Sequence, residues 1–190
     1  MDVLQAIKSR RAFRALKPAT ASPELIEDLA RCAQLAPSCF NNQPWNFVFV
    51  LEPQRLVEMK EALSEGNRWA YDASMIIAVF SKKEDDCIIR DRIYHQFDSG
   101  LAVGFLILRA TELGLVAHPI AGFSPKKTRE ILRIPEEFNI ITLIIVGQKS
   151  GELSPSLSEK QVESEKMRPR RKKLDEFVYI NRYGSSPSTP

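Results

Sequence analysis

The chain has 190 residues and a net charge of +3, long enough for one well-filled core and too weakly charged to argue by itself for a nucleic-acid partner. A composition of 44% hydrophobic and 27% charged residues is that of a globular protein and excludes disorder throughout. No apolar run approaches the roughly 20 residues of a membrane span, and MDVLQAIKSRRAF lacks the apolar centre of a secretory signal, so a cytoplasmic protein without a membrane partner is expected.

In chain order, Asp2 is placed to cap a first helix with Val3, Leu4 and Ile7 on one apolar side, running into Arg10, Arg11 and Arg14. Ser22-Pro23-Glu24 starts a second helix, whose Leu25, Ile26, Leu29, Cys32, Ala33 and Ala36 share a face until Pro37 stops it. APSCFNNQPW (36–45) is then a loop. FVFVL (47–51) reads as a strand, Pro53 to Leu63 as a helix, and SMIIAVF (74–80) as a buried strand. Arg90 to Leu113 is the longest helical segment, carrying Ile93, Phe97, Leu101, Gly104, Phe105, Leu108 and Ala110, with Gly114 as its left-handed stop. LVAHPI makes a short strand, Ser124-Pro125 opens a helix through Leu132, and IITLIIVG (140–147) is a second buried strand. Residues 1–150 are therefore expected to form the core of a single domain. Residues 151–190 are expected to be an extended tail packing on the core or on a partner subunit, with Leu174, Phe177, Val178 and Ile180 as its anchors.

Cys32, Cys39 and Cys87 are odd in number and form no CxxC pair, which points to reduced thiols. With His95 and His118 the only histidines, no zinc-ligand spacing exists and no metal is expected. There is no internal repeat and no GxxxxGK or GxGxxG loop, so a nucleotide cofactor would have to be held another way. Basic residues gather at Arg10, Arg11 and Arg14 and again in RPRRKK (168–173). Each cluster is either a solvated face, favoured near a helix carboxyl terminus, or an anion site, because guanidinium groups hold phosphate oxygens through paired hydrogen bonds. RPRRKK also suits nucleic acid or an acidic partner.

The segments IKSRRAFRALKP, LARCAQLAPSCFNNQPWNFVFV, FDSGLAVGFLILRATELGL, HPIAGF, LRIPEEFNIITLIIVGQ and RPRRKKLDEFVYINRYG, in this order over nearly the whole chain, resemble the FMN-dependent nitroreductase family. The resemblance implies an α+β fold with a central, mostly antiparallel sheet flanked by helices. It implies an intertwined homodimer with an FMN in each of two interfacial sites lined by both chains. It also implies a ping-pong oxidoreductase: NAD(P)H reduces flavin N5 and leaves, and a small acceptor such as a nitroaromatic or quinone enters the same space.

By the same resemblance, Arg10, Arg11, Ala12 and Arg14 cradle the FMN phosphate and flavin edge, and Arg170 and Arg171 return to the phosphate. Pro37, Ser38, Cys39 and Asn41 reach the flavin of the other subunit, with Gln43, Pro44 and Trp45 fixing their loop. Pro119, Ile120, Ala121 and Gly122 bring backbone N–H groups toward N5. Ala12 stands where the family often has serine, Ala121 where an acidic residue is common, and Cys39 where small polar residues are usual. No side-chain acid or base is implied, because the redox chemistry is the cofactor's own. Asp98 reads as a buried partner of backbone or arginine, and His118 as a satisfied structural histidine. Only SKKEDDCIIRDR stands where larger members carry a lid, which implies a permissive pocket. The residues leave one alternative open: a binding module of this fold that contacts nucleic acid or an acidic partner through RPRRKK and does no redox chemistry.

Overall fold

The computed structural model describes residues 1–185; the last five residues of the expected tail, 186–190, lie outside the described residues. The first half holds α1 (Val3–Ser9), β1 (Leu16–Lys17), α2 (Pro23–Gln34), β2 (Asn46–Val50), α3 (Pro53–Met59), β3 (Met75–Ser81), β4 (Ile88–Ile89) and β5 (Arg92–Ile93). The second holds α4 (His95–Glu112), β6 (Leu115–Ile120), α5 (Pro125–Leu132), β7 (Asn139–Lys149) and α6 (Glu159–Lys166).

β3 and β7 are the two continuous apolar runs, and they pair antiparallel with Met75 opposite Val146 and Ile77 opposite Ile144. Successive side chains of a strand point to opposite faces, so a strand apolar at every position needs cover on both. Ile76, Ala78 and Phe80 enter one core with Val50, Met59, Trp69, Leu143 and Ile145. Met75, Ile77 and Val79 enter another with Leu29, Ala33, Leu106, Ala110, Ile144 and Val146. β2 pairs along the free edge of β3, and β6 along the free edge of β7. β1 pairs with Gln148 and Lys149 beyond the end of β3. All these pairings are antiparallel, so the α+β expectation is met, with α2 and α4 on one face of the sheet.

The helix starts follow from their caps. Asp2 and Gln5 form a capping box at α1, and the Ser22 and Ser124 hydroxyls accept N–H groups in the first turns of α2 and α5. Gly114, at φ 76°, lets the chain turn out of α4.

Four expectations are corrected, and two apolar sets that the sequence only traced are found wholly or partly exposed. α4 begins at His95 rather than Arg90, because Arg90 adopts φ 59° and turns the β4–β5 hairpin. The α4 residues facing the sheet are Ala102, Val103, Leu106 and Ala110, whereas Phe97 and Phe105 are exposed. Val3, Leu4 and Ile7 of α1 are 71%, 58% and 50% exposed, and only the small Ala6 is buried. The helix expected to reach Leu63 ends at Met59 and tightens into a 3-10 turn, Lys60–Ala62. The tail is not extended throughout: Ser158 and Gln161 form a capping box that starts α6, and of the expected anchors Leu174, Phe177 and Ile180 are exposed while Val178 is half-buried. Cys39 and Cys87 are not reduced thiols but a disulfide closing 48 residues, a proximity that only the fold creates; Cys32 is free. Among the described residues no helix is long and apolar enough to cross a membrane.

Candidate active site

α1 ends at Arg10, whose ψ of 122° carries the chain out of the helix. Arg10, Arg11, Ala12, Arg14 and Arg171 then line one cavity of about 230 Å³ together with Ser164, Arg168 and Pro169. The expected Arg170 is exposed and absent from this lining; Arg168, which sequence reasoning missed, is there instead. Its Nη2 donates to the carbonyls of Lys8 (2.6 Å) and Arg10 (2.9 Å), pinning the tail to the end of α1.

Arg11 is committed elsewhere. Its Nη2 donates to the carbonyls of Ser164 (2.5 Å) and Glu165 (3.3 Å) in the last turn of α6, where a cation suits the helix dipole, and its guanidinium lies 4.5 Å from the Phe13 ring centroid. The buried Glu165 carboxylate accepts the N–H groups of Arg14 (2.8 Å) and Ala15 (3.4 Å). The path of the basic segment is thus fixed through its backbone, which leaves the Arg10 and Arg14 side chains available to the cavity. Burial, then the charges of Arg168 and Arg171, lower the pKa of Arg10. Cations crowded in this way repel one another until an anion is added.

A chain of contacts leads from this cavity to the end of β6. The Arg14 guanidinium is 5.9 Å from the Trp69 ring, and Trp69 stacks on His118 at 4.7 Å. His118 Nδ1 lies 3.0 Å from the Phe13 carbonyl, which can only accept, so Nδ1 carries the proton. Trp69 Nε1 donates to Asn67 Oδ1 (3.1 Å), and Asn67 Nδ2 donates to the Gly122 carbonyl (2.8 Å). A Cβ at Gly122 would meet Ser64 Oγ at 2.5 Å and Asn67 Nδ2 at 2.6 Å, so a side chain there would push both polar groups aside. Of the other residues expected here, Ile120 is buried, Pro119 half-buried and Ala121 exposed. Asn67, Trp69 and Glu165 were missed because nothing in EGNRW or VESEK forms a chemical pattern; only folding joins them to the arginines.

Burial above all, with the charges of Arg14 and Arg10, brings the His118 pKa down to about 4 against the opposing pull of the Phe13 carbonyl. Unfolded histidine titrates near 6.5. Between these values the unfolded chain binds the extra proton, so stability is full above about pH 6.5 and is lost as pH falls toward 4. Urea unfolding at pH 5 should show about 2 kcal/mol less stability than at pH 7, and His118→Phe should flatten that difference.

The remaining expected residues lie apart from the arginines. In the loop after α2, Cys39 N–H donates to Oδ2 of the buried Asp98 (2.7 Å), the backbone partner expected for that carboxylate. Ser38 Oγ accepts the Gln43 N–H (2.9 Å), Pro37 and Asn41 are exposed, and Trp45 packs on the core behind the loop. Asp98 is in the first turn of α4, whereas Arg11 and Phe13 share a surface cleft with Thr111 and Gly114 at its other end. With 18 residues, α4 is about 27 Å long at 1.5 Å per residue. The expected residues therefore fall into separate groups, with residues 37–41 near the start of α4 and Arg11 of the basic segment near its finish.

A family model described as "Nitroreductase family" matches residues 7–70 and 61–148. The chain belongs to the nitroreductase family. An iodotyrosine deiodinase from Haliscomenobacter hydrossis is 29% identical to it over 188 residues, covering 84% of this chain and 85% of the relative. An NADH dehydrogenase from Thermus thermophilus is 24% identical over 187 residues, covering 82% and 91%. A crystal structure described as an oxidoreductase containing FMN superposes with a TM-score of 0.84 at 26% identity, over 98% of this chain and 94% of that one. A nitroreductase family protein from Clostridium novyi NT shares the fold with a TM-score of 0.74 at 22% identity. Family and relatives together make this nitroreductase-family chain an oxidoreductase. In it, the stretch between β3 and α4 holds only a 3-10 turn, Lys83–Asp85, and the β4–β5 hairpin.

Proposed function

We propose that this protein is a homodimeric, cytoplasmic FMN oxidoreductase that takes reducing equivalents from NAD(P)H and passes them to a small acceptor. The observation that carries the reading is the cavity where Arg10, Arg14, Arg168 and Arg171 converge, none of them in a salt bridge among the described residues. A terminal phosphate, nearly doubly charged, fits both its size and its sign. Arg10, Arg14 and Arg171 would hold that phosphate, while Arg168 and Glu165 fix the backbone that presents them. The Gly122 corner, kept free of a side chain, would offer its backbone beside the ring, and Ser38 with Asn41 would approach from the second subunit. When bound, FMN supplies the two-electron chemistry between NAD(P)H and an acceptor such as a nitroaromatic or quinone, in ping-pong order.

The dimer is supported by an apolar surface without cover. Phe97 and Phe105 of α4 and Val3, Leu4 and Ile7 of α1 are exposed, and a groove of about 320 Å³ between α1, α2 and α4 is lined by Val3, Leu35, Phe105 and Leu108. Contiguous exposed apolar residues of this kind mark an interaction face. Packing two α4 helices antiparallel would set residues 37–41 of one chain against the basic cavity of the other. The short β3–α4 connection supports a permissive pocket.

The purified protein should be yellow, release FMN on denaturation, and bleach anaerobically with NADH or NADPH. An acceptor panel of a quinone, a nitroaromatic and an iodotyrosine, the last chosen for the deiodinase relative, should then restore the oxidised spectrum with the first two at least. A colourless protein that gains no flavin spectrum on adding FMN would sink this reading and favour the binding module with a basic tail.

A further inference from the structure

The Cys39–Cys87 bond joins the loop after α2 to the start of the β4–β5 hairpin. Phe40, Asn41 and Gln43 of that loop sit at φ 48°, 60° and 50°, a region that costs a residue with a side chain about 1 kcal/mol or more. Within the loop the Ser38 hydroxyl and the Ser38, Cys39 and Asn41 carbonyls accept hydrogen bonds from Gln43, Asn41 and Asn42, whereas the ties of residues 38–43 to the rest of the chain lead to one cluster: the disulfide, Cys39 N–H on Asp98, and Asn42 Nδ2 on Asp86 Oδ1 (3.3 Å). The loop is a turn with three left-handed residues, tied to the rest of the chain at one cluster.

That point is equipped for thiol exchange. Cys39 is half-exposed whereas Cys87 is buried, so an incoming thiolate meets Cys39 Sγ and Cys87 becomes the leaving group. Both sulfurs and an Asp86 oxygen lie within 4.8 Å of one another, and Asn42 Nδ2 is 3.5 Å from Cys87 Sγ, where it can donate to a thiolate. Asp86 Oδ2 is buried with no donor among the described residues, so a proton held by a neighbouring carboxyl is what satisfies it. Asp98 is that neighbour: burial first, and then Asp86, raise its pKa, so that it keeps a proton longer than an ordinary aspartate.

We propose that Cys39–Cys87 is an exchange-active disulfide, opened by dithiols in the folded protein, and that its state sets the order of residues 38–43. One thiolate of the dithiol attacks Cys39 Sγ, breaking the S–S bond. Cys87 leaves as a thiolate, stabilised by Asn42 and protonated through the Asp86–Asp98 pair. The second thiolate of the dithiol then attacks its own sulfur in the mixed disulfide and releases Cys39, so the dithiol is oxidised to a disulfide and the protein gains two electrons and two protons. Once free, the left-handed residues relax and the loop loosens, while the two cores stay as they are. This proposal concerns the same loop that the FMN reading sets against the second subunit, but its thiol count and loop exchange are read without flavin.

The test treats the oxidised full-length protein with dithiothreitol in native buffer, followed by alkylation, intact mass and hydrogen exchange. Mass should report one alkylated cysteine, Cys32, before reduction and all three after it. Amides of residues 38–43 should exchange about ten-fold faster after reduction, with β3 and β7 unchanged. Cys87→Ser should reproduce the fast loop without dithiothreitol; if that variant does not fold, the wild-type measurements decide alone. Reduction that occurs only in denaturant, three alkylated thiols before reduction, or unchanged loop exchange would each overturn the proposal.

Discussion

Replacing Arg10 and Arg14 together with alanine is expected to weaken FMN binding by roughly 10²- to 10⁴-fold while leaving the protein folded. Each lost hydrogen bond to a charged group is worth about 1.5–3 kcal/mol, and every 1.4 kcal/mol is a factor of ten in Kd. The fold tolerates the change because this segment is held by its backbone, through Glu165 on the Arg14 and Ala15 amides and Arg168 on the Lys8 and Arg10 carbonyls. Only the 5.9 Å approach of Arg14 to Trp69 is also lost, worth about 0.5–1 kcal/mol. Flavin fluorescence titration reads the affinity and thermal unfolding the fold. Undiminished FMN retention would remove the phosphate from this cavity and with it the main support for the proposed function.

The second large effect concerns the uncovered face of α4. Wild-type protein should sediment as a dimer, and Phe97→Glu with Phe105→Glu should raise the dimer dissociation constant at least about 100-fold. Burying one such side chain is worth about 1.5–3 kcal/mol, and each carboxylate adds a desolvation cost on top. Both aromatics point away from the sheet side occupied by Ala102, Leu106 and Ala110, so the subunit itself should keep its circular dichroism. FMN affinity should fall along with dimerisation even though no arginine has changed, since the half-site of residues 37–41 leaves with the partner. A wild-type monomer that binds FMN at full strength would refute the shared site.

What the sequence made legible was what local chemistry specifies. Ser22-Pro23-Glu24 and Ser124-Pro125 gave correct helix starts because a cap and an N1 proline act within one turn. SMIIAVF and IITLIIVG gave the two central strands because burial on both faces leaves an unbroken apolar run. α6 carried its signal in Ser158 and Gln161, yet its polar composition hid it. Phe97 and Phe105 were read as part of an apolar helix, and apolar periodicity does not say what covers a given residue; both are exposed. Contacts between distant segments left no local trace at all: the Cys39–Cys87 bond, the Glu165 carboxylate on Arg14, and the place of Arg168 rather than Arg170 in the cavity. The arginine cluster near the start was visible in the sequence; the distance between it and the loop at 36–45 was not.

β7 is the eleven-residue strand on which β1, β3 and β6 all pair. During synthesis the chain emerges from its amino end, so until β7 appears the main sheet can form only its β2–β3 pairing, beside the short β4–β5 hairpin, and most of the polypeptide waits on one late segment. A topology closed by such distant pairings folds slowly and exposes β3, apolar on every side, in the interval. Nascent chains stopped before β7 should therefore be the species that chaperones hold and that aggregate when production outruns folding.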